Sequence, residues 1–332
     1  MTPLIKIACT FFLIITVPCI AQLPLNEAEF YSRIQAGGSL PEKLLSTRTA
    51  VFYSYKIPLK DLEAIQKSFQ RSGIDAVVYF EDDLLTAGRD VSVSMARYLN
   101  ERDISNLVLI SKASDSYKLI ITEYNKKANF VEENQTAWTS ENQYLDELLR
   151  NLYRTSANSL QRENFLINDF PEHTISIDAI NGNRSDFYAI DLKVDPLAVP
   201  KFGNDEMDRQ LEEIMKSYPF KYTLTEPGLS EAELRKQGHL FVLRFVRARD
   251  RVAKSVLGYD MTKNESAIVS ITYPENVPHL KTIPANNEVY KFYFKHIESA
   301  GVFLGTKWDA DVTWQQALLN QIRGFKNELK IN

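Results

Sequence analysis

The chain has 332 residues, of which 44% are hydrophobic and 25% charged, and its 39 basic against 43 acidic side chains give a formal net charge of −4. Such a mildly acidic balance, without basic blocks, excludes nucleic acid as the main partner. The composition is that of a globular chain, and the length suggests two domains.

In chain order, Lys6 precedes an apolar run over residues 7–17, broken by Pro18 and followed by Cys19, Ile20 and Ala21. This is the layout of a secretory signal peptide with cleavage between Ala21 and Gln22, and the run is too short to span a membrane. The expected product is secreted or periplasmic and has no transmembrane helix. Residues 16–19 also resemble a lipoprotein box, with Pro18 departing from the pattern; the alternative is a chain anchored through an acylated Cys19. Cys9 and Cys19 are the two cysteines. A chain cut after Ala21 therefore has no disulfide and no thiolate metal site.

Asn26 is placed to cap a short helix that ends at Gly37-Gly38, a helical lead-in over residues 22–45. A first α/β unit is expected over 46–160. It opens with a strand at 50–55, then a helix that starts at Pro58 and stops at Gly73, with Leu62, Ile65 and Phe69 on one face. A buried strand at 74–80 follows, then a helix carrying Val91, Met95 and Tyr98 or Leu99. Strands at 106–111 and 117–124 form a hairpin around residues 113–115. Ser140 with Gln143 reads as a capping box before a closing helix. Residues 161–173 form the linker.

The second unit, 174–332, repeats this order. Strands are expected at 187–194, 221–225, 240–247, 253–259, 267–273, 289–296 and 302–307, with helices at 205–217 and 231–236. Thr313 with Gln316 reads as a second capping box before the last helix.

The two halves share sequence. Residues 62–69 (LEAIQKSF) return as 211–218 (LEEIMKSY), with five of eight positions identical. Tyr117, Phe130, Leu145 and Leu149 correspond to Tyr290, Phe303, Leu318 and Ile322 at a constant offset of 173, against 149 for the first block. The same blocks in the same order point to an internal duplication. The fold class expected is mixed α/β (α+β): two tandem, related βαβα-ββ(β)-α units with mixed sheets, the second enlarged by extra antiparallel strands. This order resembles the mixed α/β modules of bacterial envelope proteins such as the N-terminal domain of TolB-like proteins and the LpoB/CsgG group. The resemblance is one of element order; it implies an envelope setting and carries no residue over.

No nucleophile elbow, phosphate-binding glycine loop or zinc motif is present. His173, His239, His279 and His296 stand at no metal-ligand spacing, so no catalytic residue, metal or cofactor is expected. The binding candidates are Glu81, Asp82 and Asp83, which follow a buried strand, and Arg244, Arg247 and Arg249, which with Arg251 crowd one predicted hairpin. The ordinary reading of the first group is a solvated turn, and of the second a charged hairpin tip. Asp309 and Asp311 read as helix N-terminal charge, Lys291, Tyr293 and Lys295 as a solvent-facing strand face, and Trp138, Trp308 and Trp314 as core.

The expected function is a non-enzymatic envelope binding or scaffold module. Its partner would be another envelope protein or an anionic envelope component. The alternative is an exported hydrolase or small-ligand-binding protein with its site in the crevice between the halves, drawing on the acidic triplet or His239.

Overall fold

Two six-stranded mixed sheets carry the chain, each buried on both faces. The computed structural model describes residues 26–113, 115–173, 177, 179–180, 183–259, 269–274 and 277–331. The expected signal peptide, with Cys9 and Cys19, lies outside the described residues.

The first unit contains strands β1 (Ile34–Ala36), β2 (Arg48–Tyr53), β3 (Asp75–Glu81), β4 (Ile104–Ala113), β5 (Ser116–Glu123) and β6 (Gln135–Asn142). Its helices are α1 (Glu27–Ser32), α2 (Leu59–Ser72), α3 (Arg89–Glu101) and α4 (Leu145–Ser159). The sheet order is β1-β6-β5-β4-β2-β3. Strands β4, β2 and β3 run parallel, β4, β5 and β6 antiparallel, and β1 parallel to β6.

The parallel part reverses direction at β2. The crossover through α2 leads to one neighbour, β3, and the crossover through α3 leads back past β2 to β4. Right-handed crossovers in opposite directions put their helices on opposite faces. Accordingly α2 buries Leu62, Ile65 and Phe69, with α4, against one face, while α3 buries Val91, Met95 and Leu99 against the other.

The second unit contains β7 (Arg184–Ser185), β8 (Leu197–Pro200), α5 (Asp205–Met215), β9 (Tyr222–Thr225), α6 (Glu231–Lys236) and β10 (Phe241–Arg249). There follow α7 (Asp250–Val256), the hairpin β11 (Val269–Thr272) and β12 (His279–Thr282), then β13 (Glu288–His296), β14 (Val302–Phe303) and α8 (Trp314–Glu328). Its sheet order is β7-β14-β13-β10-β8-β9. Set aside α7 and the hairpin, and this is the order of the first sheet, with every neighbouring pair parallel or antiparallel as before. Part of the matched sequence falls on equivalent elements, Leu62–Phe69 on α2 with Leu211–Met215 on α5, and Tyr117 on β5 with Tyr290 on β13; Phe130, by contrast, precedes β6 whereas Phe303 lies in β14. The extra length enters between β10 and β13.

The units pack face to face. α3 and α7 lie between the sheets, and one apolar cluster joins Phe52, Phe80 and Leu109 of the first unit to Val246, Val252 and Val289 of the second. The outer face of the second sheet packs Phe241, Phe292 and Phe294 against Leu211 of α5 and Phe325 of α8. The linker is part of this fold. Glu172 bridges to Val78, the Tyr79 N–H donating to its carbonyl at 2.9 Å, which covers the β3 edge.

Several local expectations change. Residues 253–259 do not form a strand: Val252, Ala253, Val256 and Leu257 are buried at helical spacing, and α7 occupies the segment. In 187–194, Tyr188 and Leu192 are buried while Phe187, Ile190 and Val194 are exposed, which is not the alternation of a strand, and the 3-10 turn Ile190–Lys193 occupies the segment; the strand comes later, as β8. Strand 302–307 shrinks to the two residues of β14. Strand 267–273 becomes β11, its first residues lying outside the described ones.

Ser140 is not a cap. It pairs with Leu119 inside β6, and α4 starts at Leu145 without a side-chain cap, because the sheet ladder outcompetes the local turn. Thr313 does accept the Gln316 N–H, but the Gln316 side chain turns to Thr272 and Asn320, so the box is half made. Asn26 caps α1 as expected, yet the helix stops at Ser32 and β1 follows. The lead-in thus supplies an edge strand of the first sheet.

Candidate functional site

In an open α/β sheet, the crevice at the carboxyl ends of the parallel strands, where strand order reverses, is where side chains from several loops converge. Each unit has such a point, and in both the opposite unit supplies one wall.

In the first unit the crevice is about 1000 Å³ of space including open solvent. Ser54 and Lys56 reach it from the end of β2, Asp82 and Asp83 from the end of β3, and Ser111 and Lys112 from β4, while Arg247 and Arg249 close it from β10. The acidic triplet and the arginine run, read from the sequence as separate surface features, therefore meet here. The backbone N–H of Arg249 donates to Asp83 at 2.9 Å and its Nε to the same carboxylate at 2.8 Å. Its Nη2 also contacts Glu81 and Asp83. Arg251 donates to Glu81 at 2.5 Å, and Tyr55 covers the Arg249 guanidinium with its ring 4.2 Å away. Arg247 pairs with Glu288 at 2.6 Å.

Asp82 takes no part in that network. Burial, then the charges of Asp83 and Glu27, push its carboxyl up to about 7 against the pull of Arg249. Glu27, at the start of α1, is raised too, by burial and by Asp83. A carboxyl that titrates near neutrality is suited to proton exchange or to a ligand's positive group.

The second crevice lies beside β10, about 850 Å³ of space including open solvent. Strand β8 pairs with β10 only at Phe241 and Val242, so the β10 edge beyond is open to another segment. The first unit fills it. The Arg247 N–H donates to the Ala87 carbonyl at 3.1 Å, and Gly88 lies so close that a Cβ there would stand 2.4 Å from the Phe245 carbonyl oxygen. Gly88 has φ +110°, a conformation open to glycine. It is the N-cap of α3 and offers no side-chain cap.

Arg89, Arg244 and Lys201 bring positive charge to this crevice, and Phe202, Phe245 and Leu229 make apolar wall. Arg244 is 5% exposed. Its Nε and Nη2 make no hydrogen bond; Asp90 and Glu231 stand 3.7 and 3.6 Å from them. Asp90 is instead engaged by Tyr293 at 2.7 Å and Lys295 at 3.2 Å, and Lys295 also reaches Glu231 at 2.8 Å. Burial, and then the charge of Arg244, lower the pKa of Arg89.

The strand face of Lys291, Tyr293 and Lys295 was expected in solvent, but all three are buried. Their face meets the first unit and the core beneath α8, and each polar group has a partner there. Lys291 donates to Asp309 at 2.5 Å, to Gln321 at 2.7 Å and to the Leu304 carbonyl at 2.8 Å. Burial lowers the pKa of Lys291 and raises that of Asp309. Asp311 pairs with Lys281 at 2.8 Å, so neither aspartate serves simply as charge at the start of α8. Trp138, Trp308 and Trp314 are buried as expected. His239 is buried near the Pro196 carbonyl and lines neither crevice.

Sequence reasoning missed Arg89, Gly88 and Lys201. Their signal was positional: Gly88-Arg89 ends the loop after a buried parallel strand, and Lys201 follows β8. Among the described residues no group of three or more His, Cys, Asp or Glu is arranged to hold a metal ion, and no helix is long and apolar enough to cross a membrane.

No family model matches the chain, and neither the curated proteins nor the solved structures contain a match. The resemblance in element order to envelope modules finds no support there.

Proposed function

We propose that this chain is an exported binding protein of two duplicated α/β units, with a small-molecule site in the crevice between them. The observation that carries the reading is that both switch-point crevices are walled by the opposite unit. Neither is complete in one half, which gives a reason for the units to stay together. A common origin of the units accounts for the repeated strand order and for the sequence match of α2 with α5 and of β5 with β13. Export rests on the N-terminal pattern of residues 6–21.

The alternative of an exported hydrolase draws on Asp82, whose raised pKa suits acid–base work. Glu81 and Asp83 are less suited, being held by arginines. A scaffold for another envelope protein is the remaining reading.

Native mass spectrometry of the chain purified from an envelope extract tests these readings. A retained small molecule supports the small-ligand site, whereas a stoichiometric protein and no small molecule overturns it in favour of the scaffold. Intact mass tests export: a start at Gln22 supports the soluble form, and an acylated Cys19 replaces it with an anchored one.

A further inference from the structure

We infer that the crevice beside β10 binds a small amphipathic anion, with a carboxylate or phosphate group against Arg244 and Arg89 and an apolar body against Phe202, Phe245 and Leu229. This deepens the small-ligand reading and rests on it.

A guanidinium is costly to bury unless its donors are satisfied, and buried polar groups in folded proteins nearly always are. Arg244 departs from that rule at two of its nitrogens, and it does so where it lines a crevice. Its two nearest carboxylates do not remove the demand. Asp90 is already bonded by Tyr293 and Lys295, and Glu231 by Lys295. Three cations, Arg89, Arg244 and Lys295, thus surround two carboxylates in the buried part of the cluster, with Glu233 drawn into the capping box of α6 beyond them. A planar fork with unused donors matches a carboxylate or phosphate in two-point contact, better than a neutral acceptor.

The thirteen-residue helix α3 adds to this. It begins at the same crevice, and Gly88 gives its first turn no side-chain acceptor. The partial positive charge of a helix N-terminus favours an anion at that point. Arg89, its first residue, donates to the Gly228 carbonyl at 3.1 Å, which holds the guanidinium on the crevice wall. Opposite these groups the wall is aromatic and aliphatic: Phe202 packs on Phe245 at 6.0 Å between centroids and on Trp314 at 4.8 Å. A free inorganic anion would use the charged half alone, and a neutral apolar molecule the other half alone.

Four probes separate these cases: decanoate, decyl phosphate, decanol and inorganic phosphate, each titrated into the full chain by calorimetry and by the fluorescence of Trp314, assigned with a Trp314→Phe control. Decanoate or decyl phosphate binding at least about tenfold tighter than both decanol and phosphate supports the inference. The preference should fall to near unity in Arg244→Gln. Should that variant fail to fold, Lys201→Gln at the mouth serves instead; its side chain is one-third exposed, and the preference should weaken by about threefold. Decanol binding as tightly as decanoate overturns the anion while leaving a small-ligand site. Phosphate binding as tightly as decyl phosphate overturns the apolar body. Binding of none of the four overturns both this inference and the small-ligand reading for this crevice.

Discussion

Arg249, the last residue of β10, is bonded to Asp83 through both its backbone N–H and its side chain, across 166 positions of sequence. This contact closes one crevice and fastens the end of β10 to the loop after β3. Removing one partner of a buried charged pair leaves the other uncompensated. Arg249→Met is therefore expected to lower stability by about 3 kcal/mol, and Arg251→Met, whose side chain is 41% exposed, by under about 1 kcal/mol. Urea unfolding of the two variants checks the ratio; equal small losses would show that the junction does not depend on this pair.

Gly88 makes another close contact between the units. A methyl group there meets the Phe245 carbonyl oxygen at 2.4 Å and a φ of +110°, whereas at Gly238 it meets φ +88° and nothing within 4 Å. Both alanine variants carry backbone strain, but only Gly88→Ala forces β10 and α3 apart. It should lose at least about 2 kcal/mol more than Gly238→Ala in urea unfolding, and lose probe binding beside β10 as well.

The raised carboxyl of Asp82 ties stability to pH. Its folded value of about 7 lies above the ordinary 3.8, so between those values the folded state holds a proton that the unfolded state has released. Stability from this group is full at pH below about 4 and falls as pH rises through 7. Burial comes first among the causes; Asp83, Glu27 and Arg249 face the group. Asp82→Asn should therefore gain stability over the wild type as pH rises from 4 to 8, on the order of 1 kcal/mol after screening. Thermal unfolding across that range tests the sign, and a flat difference would place the Asp82 carboxyl at its ordinary value.

Lys291 and Asp309 are a pair buried at 0% and 3% side-chain exposure. Lys291→Met alone strands Asp309 and should cost about 3–5 kcal/mol at neutral pH, a loss that eases on acidification as Asp309 takes up a proton. Adding Asp309→Leu should recover most of it. A double-mutant cycle by calorimetry measures the coupling, and additive losses would argue against it.

Local order was legible wherever one face of an element had to be buried. The 3.6-residue spacing of Leu62, Ile65 and Phe69, and the left-handed stop at Gly73, specify α2 without reference to anything distant. Where the partner surface was far away in sequence, the same reasoning misjudged the side. Lys291 and Lys295 alternate with Phe292 and Phe294 as a half-solvated strand should, and only Asp309 and Asp90 on the facing elements make their side an interior one. The run Val252, Ala253, Val256, Leu257 is apolar enough for strand or helix, and the groove between the two sheets selects the helix.

By itself, the sequence determined the mixed α/β class, individual elements such as α2, α5 and α8 and strands β4, β10 and β13, and the correspondence of 62–69 with 211–218. These depend on periodicity and on turn residues acting over a few positions, so they can be read from the chain directly. The tertiary structure alone decided that the acidic triplet and the arginine run are one cluster, and that Gly88 and Arg89 belong beside Arg244. Those meetings depend on how two sheets dock face to face, a matter of surfaces more than a hundred residues apart, for which no short-range pattern in the chain carries a signal.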